Sequence, residues 1–151
     1  MLRNNCAIAI GIVTLLLTAL AGSGCGGDDS AEASLPKKEF LKRAKAICAG
    51  AEKEQVKIAI AYTKHHPNAQ EEDLIEPAGL PPLEKQLEKL TVLGLPSGGA
   101  AEVEAFLDEF ETALEQGKED PASLLRSKEN PFNQANKLAK EYGIKGCEGA
   151  P

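Results

Sequence analysis

Residues 36–64 read PKKEFLKRAKAICAGAEKEQVKIAIAYTK, and this stretch decides the fold class. With one polar exception, Gln55, apolar or small residues recur in it at alternating steps of three and four: Leu41, Ala44, Cys48, Ala51, Ile58 and Tyr62. This spacing predicts one long amphipathic helix whose apolar stripe faces the rest of the chain. Pro36 suits the first turn of a helix and Pro67 forbids its continuation, so we expect the helix to span 36–64.

The sequence that follows predicts a second helix after an interruption. Residues 74–83 (LIEPAGLPPL) contain three of the prolines and a glycine, which break helices. We therefore expect a helical turn at 70–76, a break, and a helix over 82–93 whose inward residues are Leu83, Leu87 and Leu90.

Two further principal helices are expected in the last third of the chain. One spans 100–116, with Gly117 closing it, and a short helix follows Asp120-Pro121 as far as residue 126. The last begins at Asn130-Pro131 and stops at Gly143. Helix formers dominate after residue 35 and aromatic residues make up only 4% of the chain, so we predict an all-α fold with a thin core. The expected architecture is an up-and-down antiparallel bundle of about four helices, occupying residues 36–151.

The first 24 residues predict a signal peptide. MLRNNC is a short cationic start, residues 7–21 (AIAIGIVTLLLTALA) are apolar, and the small-residue stretch GSGCGG follows. An uncleaved membrane helix is the alternative. The apolar stretch is short for a bilayer span of ~20 residues, and no basic cluster follows it.

The end of this signal helix resembles the lipobox of bacterial lipoproteins, in the residues Gly22-Ser23-Gly24-Cys25. The resemblance implies that Cys25 becomes the first mature residue, carries a diacylglycerol on its thiol, and holds the protein on the extracytoplasmic face of the membrane. Residues 26–35 (GGDDSAEASL) then predict a flexible linker. Cleavage after Ala21 by ordinary signal peptidase, which gives a freely secreted protein, is the alternative.

Four cysteines occur in the chain, and two of them are left for pairing. Cys6 leaves with the signal and Cys25 is assigned to lipid. In an exported protein, Cys48 and Cys147 are therefore expected to form a disulfide. Closing a loop of about 100 residues stabilises a fold by ~4–5 kcal/mol in the chain-entropy model.

Charge and motif content favour a binding or structural role over catalysis. The formal net charge is −6, and lysine is interleaved with glutamate, which argues against a nucleic-acid partner and against electrostatic docking to anionic lipid. No catalytic motif is recognised and no cofactor is expected. His65 and His66, the only histidines, are weak metal candidates because neighbouring residues on a helix point about 100° apart. An envelope metal-binding protein or enzyme that uses them with nearby carboxylates is the alternative.

Leucines among prolines in residues 74–83 admit two interpretations. They form either an exposed apolar patch for a protein or small-ligand partner, or a connection packed over the open end of the bundle.

Three stretches of the sequence carry a wider resemblance. FLKRAKAIC (40–48), NPFNQANKLAKEYG (130–143) and the spacing of Tyr142, Gly143 and Cys147 are similar to a group of small lipoproteins from actinobacterial genomes. The resemblance implies the helical architecture and a paired cysteine, and no activity is attached to that group. We therefore expect an exported, lipid-anchored helical module of the cell envelope.

Overall fold

The computed structural model describes residues 34–148, and these form four α-helices. The helices are α1 (Lys37–His65), α2 (Leu80–Val92), α3 (Ala100–Glu119) and α4 (Asn133–Tyr142). A 3-10 helix (Glu72–Leu74) and a π-helix (Ile75–Gly79) precede α2, and a second 3-10 helix (Pro121–Leu125) lies between α3 and α4. No strand occurs in residues 34–148, so the all-α prediction is confirmed. The predicted signal peptide, Cys25 and most of the predicted linker lie outside the described residues.

Consecutive helices are antiparallel neighbours. In the first pair, Cys48 of α1 contacts Gln86 of α2, and Gln55, farther along α1, contacts Gly79, which lies before α2. The most extensive helix–helix contacts are those of α1 with α2, α2 with α3, and α3 with α4. The bundle therefore runs up and down, as the short connections predict.

All four phenylalanines of the chain are fully buried and form much of the core. Phe110 makes edge-to-face contacts with Phe106 and Phe132, with ring centroids 5.8 and 5.2 Å apart. Phe40 meets the ring of Tyr142 in the same way at 6.2 Å. These contacts join α1, α3 and α4, so a few aromatic rings hold together a core that is otherwise built from Leu, Ile, Val and Ala.

The buried stripe of α1 follows the predicted spacing. Phe40, Ala44, Cys48 and Ala51 are buried, whereas no residue between 52 and 65 is fully buried. The second half of α1 packs on the π-helix, where the side-chain amide of Gln55 donates a hydrogen bond to the carbonyl oxygen of Gly79 (3.2 Å). At 29 residues α1 is ~43 Å long, and its last turns contact neighbouring elements on one side only.

The break expected before α2 was wrong. The chain is helical from Glu72 to Val92, passing from the 3-10 helix through the π-helix into α2. Pro81 and Pro82 are the second and third residues of α2 and follow directly on the π-helix, where α-helical hydrogen bonding begins. Two prolines that look like breakers in the sequence therefore lie where a helix tolerates them.

Gly117 does not close α3, which continues to Glu119. It is buried inside the helix, where a Cβ atom would lie 3.2 Å from Leu124 Cδ2 and 3.3 Å from Leu80 Cδ2. The glycine therefore serves close packing of α3 on its neighbours, and the prediction that it ends the helix was wrong.

The last helix begins at Asn133, three residues after the expected start. The side chain of Asn130 accepts a hydrogen bond from the backbone N–H of Phe132 (2.8 Å) and donates one to the carbonyl oxygen of Leu124 (2.7 Å). Asn130 thus shapes the turn that leads into α4.

The chain turns at Gly143, where α4 ends as predicted. Ile144 is fully buried behind the turn, and Cys147 comes to lie against α1. Within residues 34–148, no helix combines the length and the hydropathy that crossing a bilayer requires.

Candidate functional site

The two cysteines predicted to pair are neighbours in the structure. Cys48 lies in α1 and Cys147 in the tail after α4, at a sequence separation of 99. Their sulfur atoms are at disulfide-bonding distance, and their Cα atoms are 5.3 Å apart, within the usual range for a disulfide. Each residue is 1% exposed, so the pair ties the C-terminal tail to α1 from inside the core.

Gln86 is the polar partner of this pair, and the sequence did not predict it. The residue is 5% exposed, and its Nε2 atom donates a hydrogen bond to Cys48 Sγ (3.4 Å). Its spacing from Leu83 and Leu90 could have indicated that Gln86 faces inward, because the three residues share one face of α2. All three are buried in the structure. Leu87, which we expected to face inward, is only half-buried and lies beside the neighbouring helix α3.

The two histidines lie at the exposed end of α1 and do not converge. The ring of His66 stacks on Tyr62 with centroids 4.1 Å apart, and its Nδ1 lies 3.0 Å from the Tyr62 carbonyl oxygen. His65 is exposed in the last turn of the helix. Across residues 34–148 no group of three or more His, Cys, Asp and Glu side chains is placed to hold a metal ion.

The proline-rich stretch 74–83 contributes its apolar side chains to the core. Ile75, Leu80 and Leu83 are buried, and Leu74 is half-buried. The stretch packs on α1 and on the second 3-10 helix. Its leucines thus pack into the domain, as expected for a connection that covers the end of the bundle.

A groove with an apolar floor runs between α2 and α3. Its floor consists of side chains from both helices: Leu87, Val92, Leu107 and Leu114. Two adjoining hollows of about 310 and 430 Å³ make up the groove and share Leu87, Thr91 and Glu111. Val92 is 82% exposed, the most exposed large apolar residue among those described. Apolar surface of this kind is a common mark of a binding site.

Carboxylates form the rim of this groove, which we call the acidic groove. Six exposed residues contribute them: Glu84, Glu88, Glu104, Asp108, Glu111 and Glu115. Lys118 is the one cation among the lining residues, and its Nζ lies 2.6 Å from Glu84 Oε1. The hydrogen bond that Lys118 donates to this carboxylate raises the pKa of Lys118, which keeps its charge. The other five carboxylates form no ion pair with any residue in 34–148, so the groove is strongly negative.

A positively charged surface, made of lysines, runs along the face of α1 that points away from the core. We call this surface the lysine stripe, and its exposed residues are Lys38, Lys42, Lys45, Lys53, Lys57 and Lys64. None of the six forms an ion pair within residues 34–148. Val56 and Ile60 lie in the same stripe and are 54% and 65% exposed. The lysine stripe and the acidic groove therefore carry an excess of opposite charge on different parts of the domain, although Glu52 lies beside Lys53 on α1 and Lys118 lies in the groove.

No protein-family model, curated protein or solved structure matches the chain.

The sequence carried partial signals for both charged surfaces. Glu104, Asp108, Glu111 and Glu115 recur at steps of three and four, which puts them on one face of α3. The apolar floor between two helices requires knowledge of how α2 packs on α3, and periodicity within one helix does not supply that.

Proposed function

We propose that this chain is an exported, lipid-anchored helical module of the cell envelope, with a binding role and no catalysis. The observation that carries the proposal is the buried pair of Cys48 and Cys147, which lie at disulfide-bonding distance. Disulfides persist in oxidising compartments and are rare in the cytoplasm. The N-terminal signal pattern, read independently of the pair, leads to the same compartment.

Cys25 is the proposed anchor. One acyl chain holds a protein only marginally, whereas the diacylglycerol that the lipobox resemblance implies supplies two, enough for stable retention. The start of α1 at Lys37 lies twelve positions after Cys25, and a fully extended chain of that length reaches at most ~40 Å. The helical domain therefore works close to the membrane surface.

The acidic groove supports a binding role. Its floor exposes apolar side chains of α2 and α3 inside a ring of carboxylates, a combination that bundle folding alone does not require. Apolar contact supplies affinity in such a groove, and the charged rim selects partners of opposite charge.

Incorporation of a labelled fatty acid tests the anchor directly. The full chain is expressed with its own leader in a lipoprotein-processing bacterial host supplied with radiolabelled palmitate. We expect the wild-type protein to take up label and Cys25→Ser to take up none. Cys6→Ser is the matched control, since it removes a cysteine of the same leader, and it should be labelled like the wild type.

The labelling experiment also distinguishes the alternatives. Unlabelled wild-type protein in the culture medium, starting at Gly22, indicates a freely secreted protein. Unlabelled protein retained in the cytoplasm contradicts export altogether.

A further inference from the structure

We infer that a second copy of this chain docks in the acidic groove, through the lysine stripe at the C-terminal half of its α1. The inference names the partner for the binding role proposed above. It stands on described residues alone, so it holds or fails independently of the lipid.

The docking element is the face of α1 between Lys53 and Lys64. It presents three lysines together with Val56 and Ile60, which are more than half exposed. In the part of the chain that the structure describes, these apolar side chains have no helix over them. Exposed apolar residues ringed by lysine on a helix are the pattern by which an amphipathic helix enters a groove.

The acidic groove offers the complementary surface. Leu87, Leu107 and the exposed Val92 provide apolar contact for such side chains, and the five rim carboxylates without an ion pair in residues 34–148 provide the negative charge. The four rim carboxylates of α3 extend from Glu104 to Glu115, which are eleven residues apart, as are Lys53 and Lys64. Both spans correspond to ~17 Å of helix, so the two surfaces match in length.

The spacing of the charges matches as well. Lys53, Lys57 and Lys64 are separated by four and then seven residues. Glu104, Asp108 and Glu115 show the same separations along α3. A helix laid along the groove can therefore bring each lysine beside a carboxylate while Val56 and Ile60 contact the floor.

A single chain cannot satisfy both surfaces, because the lysine stripe points outward from its own bundle. A second copy supplies the missing partner without any further component. The contact joins two different surfaces. Two copies can therefore each dock α1 in the groove of the other, or successive copies can assemble into a ring or an open row. Confinement to a membrane surface raises the local concentration of the protein, so that even a weak contact is populated.

Charge reversal on each surface separately provides the test. The first variant carries Lys53→Glu and Lys57→Glu, the second carries Glu104→Lys and Asp108→Lys, which face those two lysines in the matched register, and a control carries Lys128→Glu and Lys145→Glu on exposed residues away from both surfaces. Sedimentation equilibrium of the full chain in density-matched detergent, with micelles in excess, measures association.

Wild type and control are expected to associate, and each of the two reversed variants to lose affinity by at least about tenfold, because like charges then meet. Mixing the two variants should restore association, since an intact lysine stripe then meets an intact groove and an acidic stripe meets a basic groove. Raising the salt concentration to 1 M, where the screening length is about 3 Å, should weaken the wild-type association as well.

Three results overturn the inference. The wild type stays monomeric at about 1 mM, so that the Kd of any association is weaker than about 1 mM; the reversed variants associate as the wild type does; or their mixture does not recover. A monomeric wild type that binds anionic phosphatidylglycerol vesicles through Lys53 and Lys57 assigns the stripe to the lipid surface instead. Palmitate labelling is measured separately, so loss of the anchor and loss of self-association are distinguishable.

Discussion

The hydroxyl of Tyr142, at the end of α4, donates a hydrogen bond to the carbonyl oxygen of Gly98, 2.5 Å away in the turn before α3. The same ring leaves no room beside this turn. A Cβ atom on Gly99, which has φ +75°, would lie only 2.4 Å from Tyr142 Cε2. Glycine at 99 is required both for the left-handed backbone and for the close approach of the ring. Through this contact α4 fixes the start of α3.

Tyr142→Phe removes the hydrogen bond while keeping the ring. We expect a loss of about 1 kcal/mol in the free energy of unfolding, because the Gly98 carbonyl loses its partner. Urea denaturation measures it. Tyr62→Phe is the control, since the Tyr62 hydroxyl makes no hydrogen bond within residues 34–148, and it should be neutral. An unchanged stability of Tyr142→Phe would show that the bond contributes nothing.

The difference in stability between wild type and Tyr142→Phe should depend on pH. Burial, together with the nearby charge of Glu102, raises the pKa of Tyr142 above the unfolded value of about 10. The folded state therefore holds the phenolic proton more tightly, and the resulting stability is complete below pH ~10 and lost as the pH rises through the folded pKa. The stability difference between wild type and Tyr142→Phe should decrease above pH ~10. A constant difference up to the highest pH that leaves the variant folded would contradict the raised pKa.

Two glycines inside helices predict opposite effects of the same substitution. Gly50 of α1 is exposed and a Cβ there meets nothing within 4 Å, so Gly50→Ala should stabilise by up to ~1 kcal/mol through helix propensity. Gly117→Ala should destabilise, because its Cβ presses on Leu80 and Leu124. Thermal unfolding of both variants makes the comparison. Equal stabilisation by the two substitutions would show that α3 has room to spare at residue 117.

Removal of the cysteine pair should cost more than any other change considered. Cys48→Ala with Cys147→Ala is expected to lose ~4–5 kcal/mol in the chain-entropy model and to lower Tm by roughly 15 °C or more. A reducing agent should lower the Tm of the wild type in the same way and leave the double variant unchanged. Cys6→Ser, as control, should keep the full response to reduction. A wild-type Tm that does not change on reduction would show that a disulfide between Cys48 and Cys147 does not stabilise the fold.

Asn130→Ala is expected to cost about 2 kcal/mol. The residue is buried, and its side chain makes two hydrogen bonds to backbone groups of Leu124 and Phe132 that the substitution leaves unsatisfied. Asn133→Ala, at the exposed first residue of α4, should cost at most about 0.5 kcal/mol, because its side-chain hydrogen bond to the Ser127 carbonyl oxygen (3.0 Å) is exposed and water can replace it. Chemical denaturation distinguishes the two, and similar losses would mean that burial of Asn130 adds nothing.

Periodicity was sufficient for much of the fold. The predicted stripe indicated which side of α1 is buried at Ala44, Cys48 and Ala51, whereas its members Leu41 and Ile58 are only half-buried; the glycine at 143 predicted the end of α4. Both signals depend on residues close in sequence. The partnership of Cys48 with Cys147 was predictable for a different reason. Assigning Cys6 to the signal and Cys25 to lipid left only one pair.

The features that the sequence missed depend on how helices pack. Pro81 and Pro82 act as breakers or as a helix start according to where the preceding turn ends, and the π-helix before them decides that. Gly117 looks like a helix end until Leu80 and Leu124 are brought against it. The acidic groove likewise exists only because α2 and α3 lie side by side, which no pattern within one helix reveals.

The intact mass of the protein recovered from bacterial membranes reports export and lipid anchoring together. We expect a chain that begins at Cys25, carries a diacylglycerol, and is lighter by two hydrogens than the form with both remaining cysteines reduced. A mass that begins at Met1, or at Gly22 with a free thiol on Cys25, would contradict the proposal.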